Sequence, residues 1–226
     1  MNSRGVPKRT RDEAKRTMDG MFSEIVTTES QLRAIIGHPS HRVLRKHITA
    51  LDRHCRVFIA KCPFVLIASA DSDGNMDVSP KGDPAGFVHV LDDSTLAIPE
   101  RPGNRNADTF SNLLQNRHVG LLFLIPGKQE TLRVNGTAVI VRDQWLRDGM
   151  AIGGKKPEFA IAVKITEAFF HCAKCVIRAQ LWSPTYWPDV ASLPSLAQAM
   201  VDAGKLEDTP EEMQALIDKD NCERLY

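Results

Sequence analysis

The sequence predicts a mainly β (α+β) protein in which an antiparallel barrel is preceded and followed by helices. Three observations carry that expectation. From residue 63 the apolar period changes from helical to strand-like. The strand-like runs are short and separated by hairpin-type turns. Only one or two helical patterns interrupt them before residue 183. A chain of 226 residues is long enough for one substantial core. Its 42% hydrophobic and 25% charged content excludes wholesale disorder. The net charge of +1 gives no global pull toward nucleic acid or membrane, so any anion site must be local. No run approaches the roughly 18 apolar residues that span a bilayer. Residues 1–16 are polar and lack the apolar segment of a secretory signal. The five cysteines (Cys55, Cys62, Cys172, Cys175, Cys222) are odd in number and dispersed, which points to a reduced, cytoplasmic home.

Residues 1–20 are charged and aperiodic and read as a flexible tail. Its basic cluster (Lys8, Arg9, Arg11, Lys15, Arg16) is interrupted by Asp12 and Glu13, so a solvated tail is expected rather than a nucleic-acid contact. Thr28-Glu-Ser30 caps a helical pattern of Leu32, Ile35 and Ile36. After Pro39 a second helical pattern runs through Val43, Leu44, Ile48 and Leu51. His38, His41, His47 and His54 lie beside these helices without carboxylate or cysteine partners at ligand spacing, so no metal is expected. The run 63–69 reads as a buried strand, and Asp71-Ser-Asp73-Gly74-Asn75 as a tight turn. That turn shares Asp-x-Asp-x-Asn with calcium loops. It has Met76 where such a loop needs Gly and Gly82 where it needs a bidentate Glu, so calcium is excluded. Further strands are expected at 75–79, 87–90, 95–99, 119–125, 131–141, 159–165 and 168–181. A helix is expected over 108–115, with Phe110, Leu113 and Leu114 inward. Residues 183–226 contain Pro184, Pro188 and Pro194 and two weakly amphipathic helices, an extension that packs on the barrel or on a partner subunit.

Two blocks concentrate polar chemistry. In Arg101-Pro-Gly-Asn-Arg105-Asn-Ala-Asp108-Thr109, Asn104, Asn106 and Asp108 are all plausible caps of the following helix. Free N–H groups at that helix start, with the Arg105 guanidinium, form a phosphate cradle to which Lys81 adds a second charge. A basic residue at a helix start opposes the macrodipole, which is more expected where an anion binds. In Pro126-Gly-Lys-Gln129-Glu-Thr131-Leu-Arg133-Val-Asn-Gly136, Leu132 and Val134 alternate with Thr131, Arg133 and Asn135. One face is core. The other is either a polar ladder for a flat heteroaromatic ring or an exposed strand face, and the residues alone leave both readings open.

Lys61-Cys-Pro-Phe-Val-Leu-Ile-Ala-Ser69, Val78-Ser-Pro-Lys81-Gly-Asp83, Leu96-Ala-Ile-Pro99 and the two blocks resemble the FMN-binding split-barrel family of pyridoxamine 5′-phosphate oxidase-like proteins. The resemblance runs from about Leu32 through Trp182 and is closest to a bacterial subgroup with the Arg-Pro-Gly-Asn and Glu-Thr-Leu-Arg-Val-Asn-Gly blocks. It implies an antiparallel split β-barrel over 21–182, leading helices included. It also implies a homodimer with FMN at the subunit interface and oxidoreductase activity on a small molecule. Carried over by position, Val78, Ser79, Pro80 and Lys81 line the ring and phosphate, and Ile98 and Pro99 sit against the cofactor. Arg105 and Asn106 hold the phosphate, while Gln129, Glu130, Thr131 and Arg133 come from the partner subunit. Asn106 stands where the family often has a second basic residue, which shifts the phosphate grip to Arg105 and Lys81. Arg178-Ala-Gln180 replaces the Arg-x-His of the pyridoxamine phosphate oxidases proper, which argues against that reaction. The alternative is a flavin- or haem-binding split barrel without turnover, with His171 or a leading-helix histidine as ligand.

The family brings the last strand near the flavin, which makes His171, Lys174 and Arg178 substrate-side candidates, Lys174 and Arg178 sharing a face. Cys172-Ala-Lys-Cys175 lies in that strand, where residues an odd number apart point to opposite faces. Neither a shared metal nor a disulfide is therefore expected. Gly149-x-x-x-x-Gly154-Lys155 nearly spells a phosphate loop, but Lys156 replaces the Ser/Thr, so it reads as a flexible link. Trp182 either shields the ring or anchors the tail, and the anchor is the preferred reading.

Overall fold

A computed structural model describes residues 20–226; the basic cluster of the expected tail lies outside them. Contacts divide the chain between Arg45 and Lys46. In the first unit, helix α1 (Glu29–Ile36) starts at Thr28, whose Oγ1 accepts the Gln31 N–H at 3.2 Å while the Gln31 side chain accepts the Thr28 N–H at 3.3 Å. Helix α2 (His41–Arg45) follows. Neither helix buries a residue, and Ile35 and Ile36 are exposed. The second helical pattern breaks after Arg45 instead of continuing to Leu51. Ile48 bridges to Ala168 and Leu51 is buried.

The second unit opens with helix α3 (Arg53–Ala60), capped by Asp52, which accepts the Cys55 N–H at 2.8 Å. Its apolar face buries Cys55, Phe58 and Ile59. Strands β1 (Phe64–Ala70), β2 (Met76–Gly82), β3 (His89–Asp92), β4 (Thr95–Pro99), β5 (His118–Leu124), β6 (Thr131–Val141) and β7 (Ala160–His171) form one sheet in the order β2-β1-β5-β6-β7-β4-β3. Every pairing is antiparallel, so the α+β class and antiparallel sheet stand. Helix α4 (Asp108–Leu113) lies between β4 and β5, and α5 (Gln144–Gly149) between β6 and β7. Helices α6 (Lys174–Arg178), α7 (Leu196–Gly204) and α8 (Pro210–Glu223) follow the sheet.

The last two expected strands are in fact one. The runs at 159–165 and 168–181 merge into β7, which ends at His171, and 174–178 is helical. The Ala, Lys and Arg of that segment are good helix formers, and its apolar residues Cys175, Val176 and Ile177 are consecutive, so they set no alternation of period two. Helix α4 is also shorter than expected, and Leu114, expected inward, is 81% exposed just past its end. The turn at 71–75 forms as expected. The Asp71 carboxylate accepts the N–H groups of Asp73 (3.0 Å) and Asn75 (2.8 Å), and Gly74 takes φ +81°.

Strand alternation divides the sheet into two faces. Val65, Ile67, Leu121, Phe123, Leu132 and Val134 fill the core. Their neighbours Leu66, Ala68, Leu122, Leu124, Arg133 and Asn135 lie on the other face and are half-buried or exposed. Helix α4 seats on the core side through buried Asn112, whose Nδ2 donates to the buried Ser69 Oγ at 3.0 Å. Asn112→Ala leaves that hydroxyl without its partner and should cost about 1–3 kcal/mol. Urea unfolding checks this; an unchanged midpoint would show that the bond contributes nothing.

Candidate functional site

Beyond the carboxyl ends of β2 and β4 the chain forms a cleft of about 410 Å³, lined by Ser79, Pro80, Lys81, Pro99, Asn106 and Thr109 among others. Two ion pairs shape it. Lys81 Nζ meets Glu100 Oε2 at 2.6 Å, and Arg101 Nε meets Asp83 Oδ2 at 2.6 Å with Asp83 nearly inaccessible. Both pairs join the end of β2 to the segment following β4, strands far apart in the sheet order. Ser79 Oγ and Thr109 Oγ1 both donate to Asp77 Oδ2, at 2.9 and 3.0 Å, which ties β2 to α4.

The loop entering α4 differs from the sequence expectation. Ala107 occupies the cap position, with φ 54° and no side-chain cap. Asn104 accepts the Asn106 N–H at 3.0 Å, and Asn106 donates to Asp108, so the cap position falls to Ala107 and to none of the three expected residues. Arg105 and Ala107 both hold left-handed backbone, a conformation costly for residues with a Cβ and concentrated at functional loops. Arg105 and Asn106 part company here. Asn106 faces the 410 Å³ cleft, whereas Arg105 lines an adjoining cleft of about 740 Å³ with Lys155, Phe159 and Tyr226. Pro99 reaches the first cleft, but Ile98, expected against the cofactor, is fully buried in the core. Val78 points away from it, on the opposite face of β2 from Ser79 and Lys81.

The remaining predicted residues gather elsewhere. Thr131, Arg133 and His171 line a separate cleft of about 360 Å³ together with Leu122 and Cys175. Arg133 pairs with Leu122 and Phe169 across the strands and lies 5.5 Å from the Phe169 ring centroid. Burial, followed by the charges of Arg133 and Lys46, pushes the His171 imidazole below its ordinary value, so it is neutral at pH 7. Gln129 and Glu130 are in the turn before β6; Lys128, 2.8 Å away, lowers the Glu130 carboxyl. Lys174 and Arg178 are exposed and share a face, now because they are four apart on α6.

Register measures the separation of the two groups. Pro80, Leu66, Leu122 and Arg133 occupy one row, so Arg133 lies three strands from β2, roughly 14 Å away. Its side chain is also on the opposite sheet face from Ser79 and Lys81. One chain therefore does not bring the two groups to a common point.

Several polar contacts escaped the sequence reading. His47 Nδ1 meets Glu167 Oε1 at 2.6 Å and stacks on Phe169 (centroids 4.1 Å), while Asn135 Nδ2 donates to Glu167 Oε2 at 2.8 Å. The His47 hydrogen bond is the main reason the Glu167 carboxyl lies below its usual range. Asp83 and Arg101 stood inside the recognised blocks, yet nothing local signalled that they pair. Trp182 Nε1 donates to the Lys128 carbonyl at 2.8 Å, the anchor expected of it. Gly153 and Gly154, both at positive φ, close a tight two-residue turn between bridged Ile152 and Lys155 instead of a flexible link. No group of three metal-ligating side chains occurs among the described residues.

Residues 51–172, just over half of the chain, match the family model of pyridoxamine 5′-phosphate oxidase, and the chain belongs to that family. No curated protein matches the sequence. Among solved structures, it is similar to a Lactobacillus delbrueckii protein provisionally named pyridoxamine 5′-phosphate oxidase, at 26% identity and TM-score 0.43 over 54% of this chain and 95% of that one. It is also similar to HupZ of Group A Streptococcus, at 17% identity and TM-score 0.44 over 53% and 93%. A third is an FMN-binding protein of Syntrophomonas wolfei, at 13% identity and TM-score 0.42 over 69% and 97%.

Proposed function

We propose that the chain is an FMN-dependent oxidoreductase acting on a small molecule, and that it works as a cytoplasmic homodimer of split barrels with FMN held between subunits. The observation that carries this reading is the division of the polar residues into two groups on opposite faces of one sheet, in a chain of the pyridoxamine 5′-phosphate oxidase family. A two-fold axis converts two such half-sites into two whole ones. The exposed face of β1 and β2 suits that assembly, since Phe64, Met76 and Val78 present apolar surface there.

The residues fit the cofactor. A 410 Å³ cleft falls within the range of about 300–1,000 Å³ typical of ligand pockets. Lys81 supplies a cation for a phosphate, with Arg105 on the wall of the adjoining cleft beside it, Ser79 and Asn106 supply hydrogen bonds, and Pro99 and Phe110 supply apolar wall. Binding requires Lys81 to share itself between Glu100 and the phosphate. From a second copy, Thr131 and Arg133 supply the polar edge contacts and a positive charge for the ring, with Gln129 and Glu130 at the turn beside them. When bound, FMN supplies the two-electron chemistry. Neutral His171 offers a proton acceptor on the substrate side, and Lys174 and Arg178 offer charge for an anionic group. Arg178-Ala-Gln180 lies on and just beyond α6, without the paired Arg and His of the pyridoxamine enzymes, so the substrate is a different small molecule.

Heat-released cofactor from the purified protein should show the two-banded flavin spectrum and run as FMN on chromatography. A Soret band in the intact protein would overturn the flavin assignment in favour of haem. Arg105→Ala and Arg133→Ala should each lower FMN occupancy. If both variants kept full occupancy, the assigned phosphate and ring contacts would be wrong.

A further inference from the structure

We propose that Cys172 and Cys175 form a dithiol–disulfide couple that exchanges with low-molecular-weight disulfides. Strand β7 stops at His171, Ala173 has φ −72° and ψ −9°, and Lys174 opens α6. A four-residue turn whose two central residues are right-handed helical holds its end Cα atoms within about 7 Å. A disulfide spans Cα separations of about 4.4–6.8 Å. The strand expected from the sequence would instead have placed the two Cα atoms about 10 Å apart with opposed side chains. Helix α6 thus removes the geometric objection to pairing them.

Accessibility separates this pair from the other cysteines. Both thiols are free and exposed, whereas Cys55 and Cys62 are buried. Burial pushes the Cys55 thiol up to about 12 and raises that of Cys62, so neither supplies thiolate near neutrality. Cys222 is exposed but lies on α8, with no second cysteine in its own element. A metal does not account for the pair, because no group of three ligating side chains exists among the described residues. Cys175 also lines the 360 Å³ cleft beside Thr131, Arg133 and His171. A small disulfide carrying carboxylates, such as glutathione disulfide, meets cationic Arg133 there.

The chemistry balances as thiol–disulfide exchange. One cysteine loses its proton, and its thiolate attacks a sulfur of the small disulfide; that S–S bond breaks and one small thiolate leaves. The second cysteine, also deprotonated, attacks the protein sulfur of the mixed disulfide and expels the second small thiolate. The dithiol is oxidised by two electrons, one small disulfide is reduced to two thiols, and the two cysteine protons pass to them. The new bond fastens the end of β7 to the first turn of α6 and fixes one wall of the cleft.

Reduced full-length protein, treated with glutathione disulfide, quenched by alkylation and mapped by peptide mass spectrometry, tests this. The peptide containing Cys172 and Cys175 should lose two hydrogens and resist alkylation. Cys222 should carry a glutathione adduct, and Cys55 and Cys62 should remain unreacted. Cys172→Ser should trap a stable glutathione adduct on Cys175, and Cys175→Ser one on Cys172. Adducts on both cysteines of the wild-type chain without an internal bond would overturn the proposal. So would a reduced pair while Cys222 reacts, or a bond from either cysteine to Cys222. The assay reads sulfur directly and needs no flavin, so its failure is separate from any failure of the FMN reading.

Discussion

Gly136→Ala should destabilise the protein by about 3 kcal/mol or more, in the tail of what single substitutions do. Gly136 lies on β6 where its register with β7 shifts, a bulge at the middle of the longest strand pair. A Cβ built there would stand 2.2 Å from the Lys164 carbonyl oxygen and 3.2 Å from Val163 Cγ1. The carbonyl is backbone in a strand paired on both edges, so it cannot turn aside as a flexible side chain would. Relief requires β7 to move away from β6, which disturbs the buried row containing Val134, Val163 and Ile165. Gly103→Ala is the control: nothing lies within 4 Å of its added Cβ and its φ is ordinary, so a change within about 0.5 kcal/mol is expected. Urea unfolding of both variants, with unchanged slopes, gives the comparison. A Gly136→Ala midpoint equal to wild type would mean that β6 and β7 are not this close.

The same glycine shows what the sequence reveals and what it withholds. Asn135-Gly136 was legible as the end of a recognisable block, but the bulge that requires Gly depends on a partner strand some 30 residues later. Strands β4 and β6 were legible to the residue, because turn residues bound each run and β6 alternates cleanly. The end of β7 was not. Residues 172–181 carry no competing period, and helix formation there is decided by local propensity after the sheet ends. Amphipathic spacing likewise identified α1 without saying that Ile35 and Ile36 would be exposed, since periodicity defines a face and not what covers it. In the candidate site, Ser79, Lys81, Pro99 and Asn106 were found because they sit in recognisable blocks. Glu100 and Asp83 acquired their roles only through non-local pairing with Lys81 and Arg101.

Mixing two defective chains should restore FMN binding that neither has alone. Lys81→Ala removes a cation and leaves the Glu100 carboxylate, its partner at 2.6 Å, facing the phosphate position. Loss of a charged hydrogen bond of this kind costs about 1.5–3 kcal/mol, roughly 10- to 150-fold in affinity, and the exposed carboxylate adds repulsion. Arg133→Ala removes the cation on the opposite sheet face and should weaken binding by a comparable factor. If each site takes Lys81 from one subunit and Arg133 from the other, an exchanged heterodimer holds one intact site and one doubly defective site. Random exchange of equal amounts makes half of the dimers mixed, so about a quarter of the wild-type FMN capacity should return at a ligand concentration where either variant alone is nearly empty. The double variant Lys81→Ala/Arg133→Ala supplies the converse. Exchanged with an equal amount of wild-type chain, it should lower capacity from a half to about a quarter, because every mixed dimer then has one defect in each site. Capacity that stays at a half in this second mixture, with no recovery in the first, would place both residues in one chain's own site. That result would contradict the separation of Lys81 and Arg133 across the sheet, and with it the shared cleft.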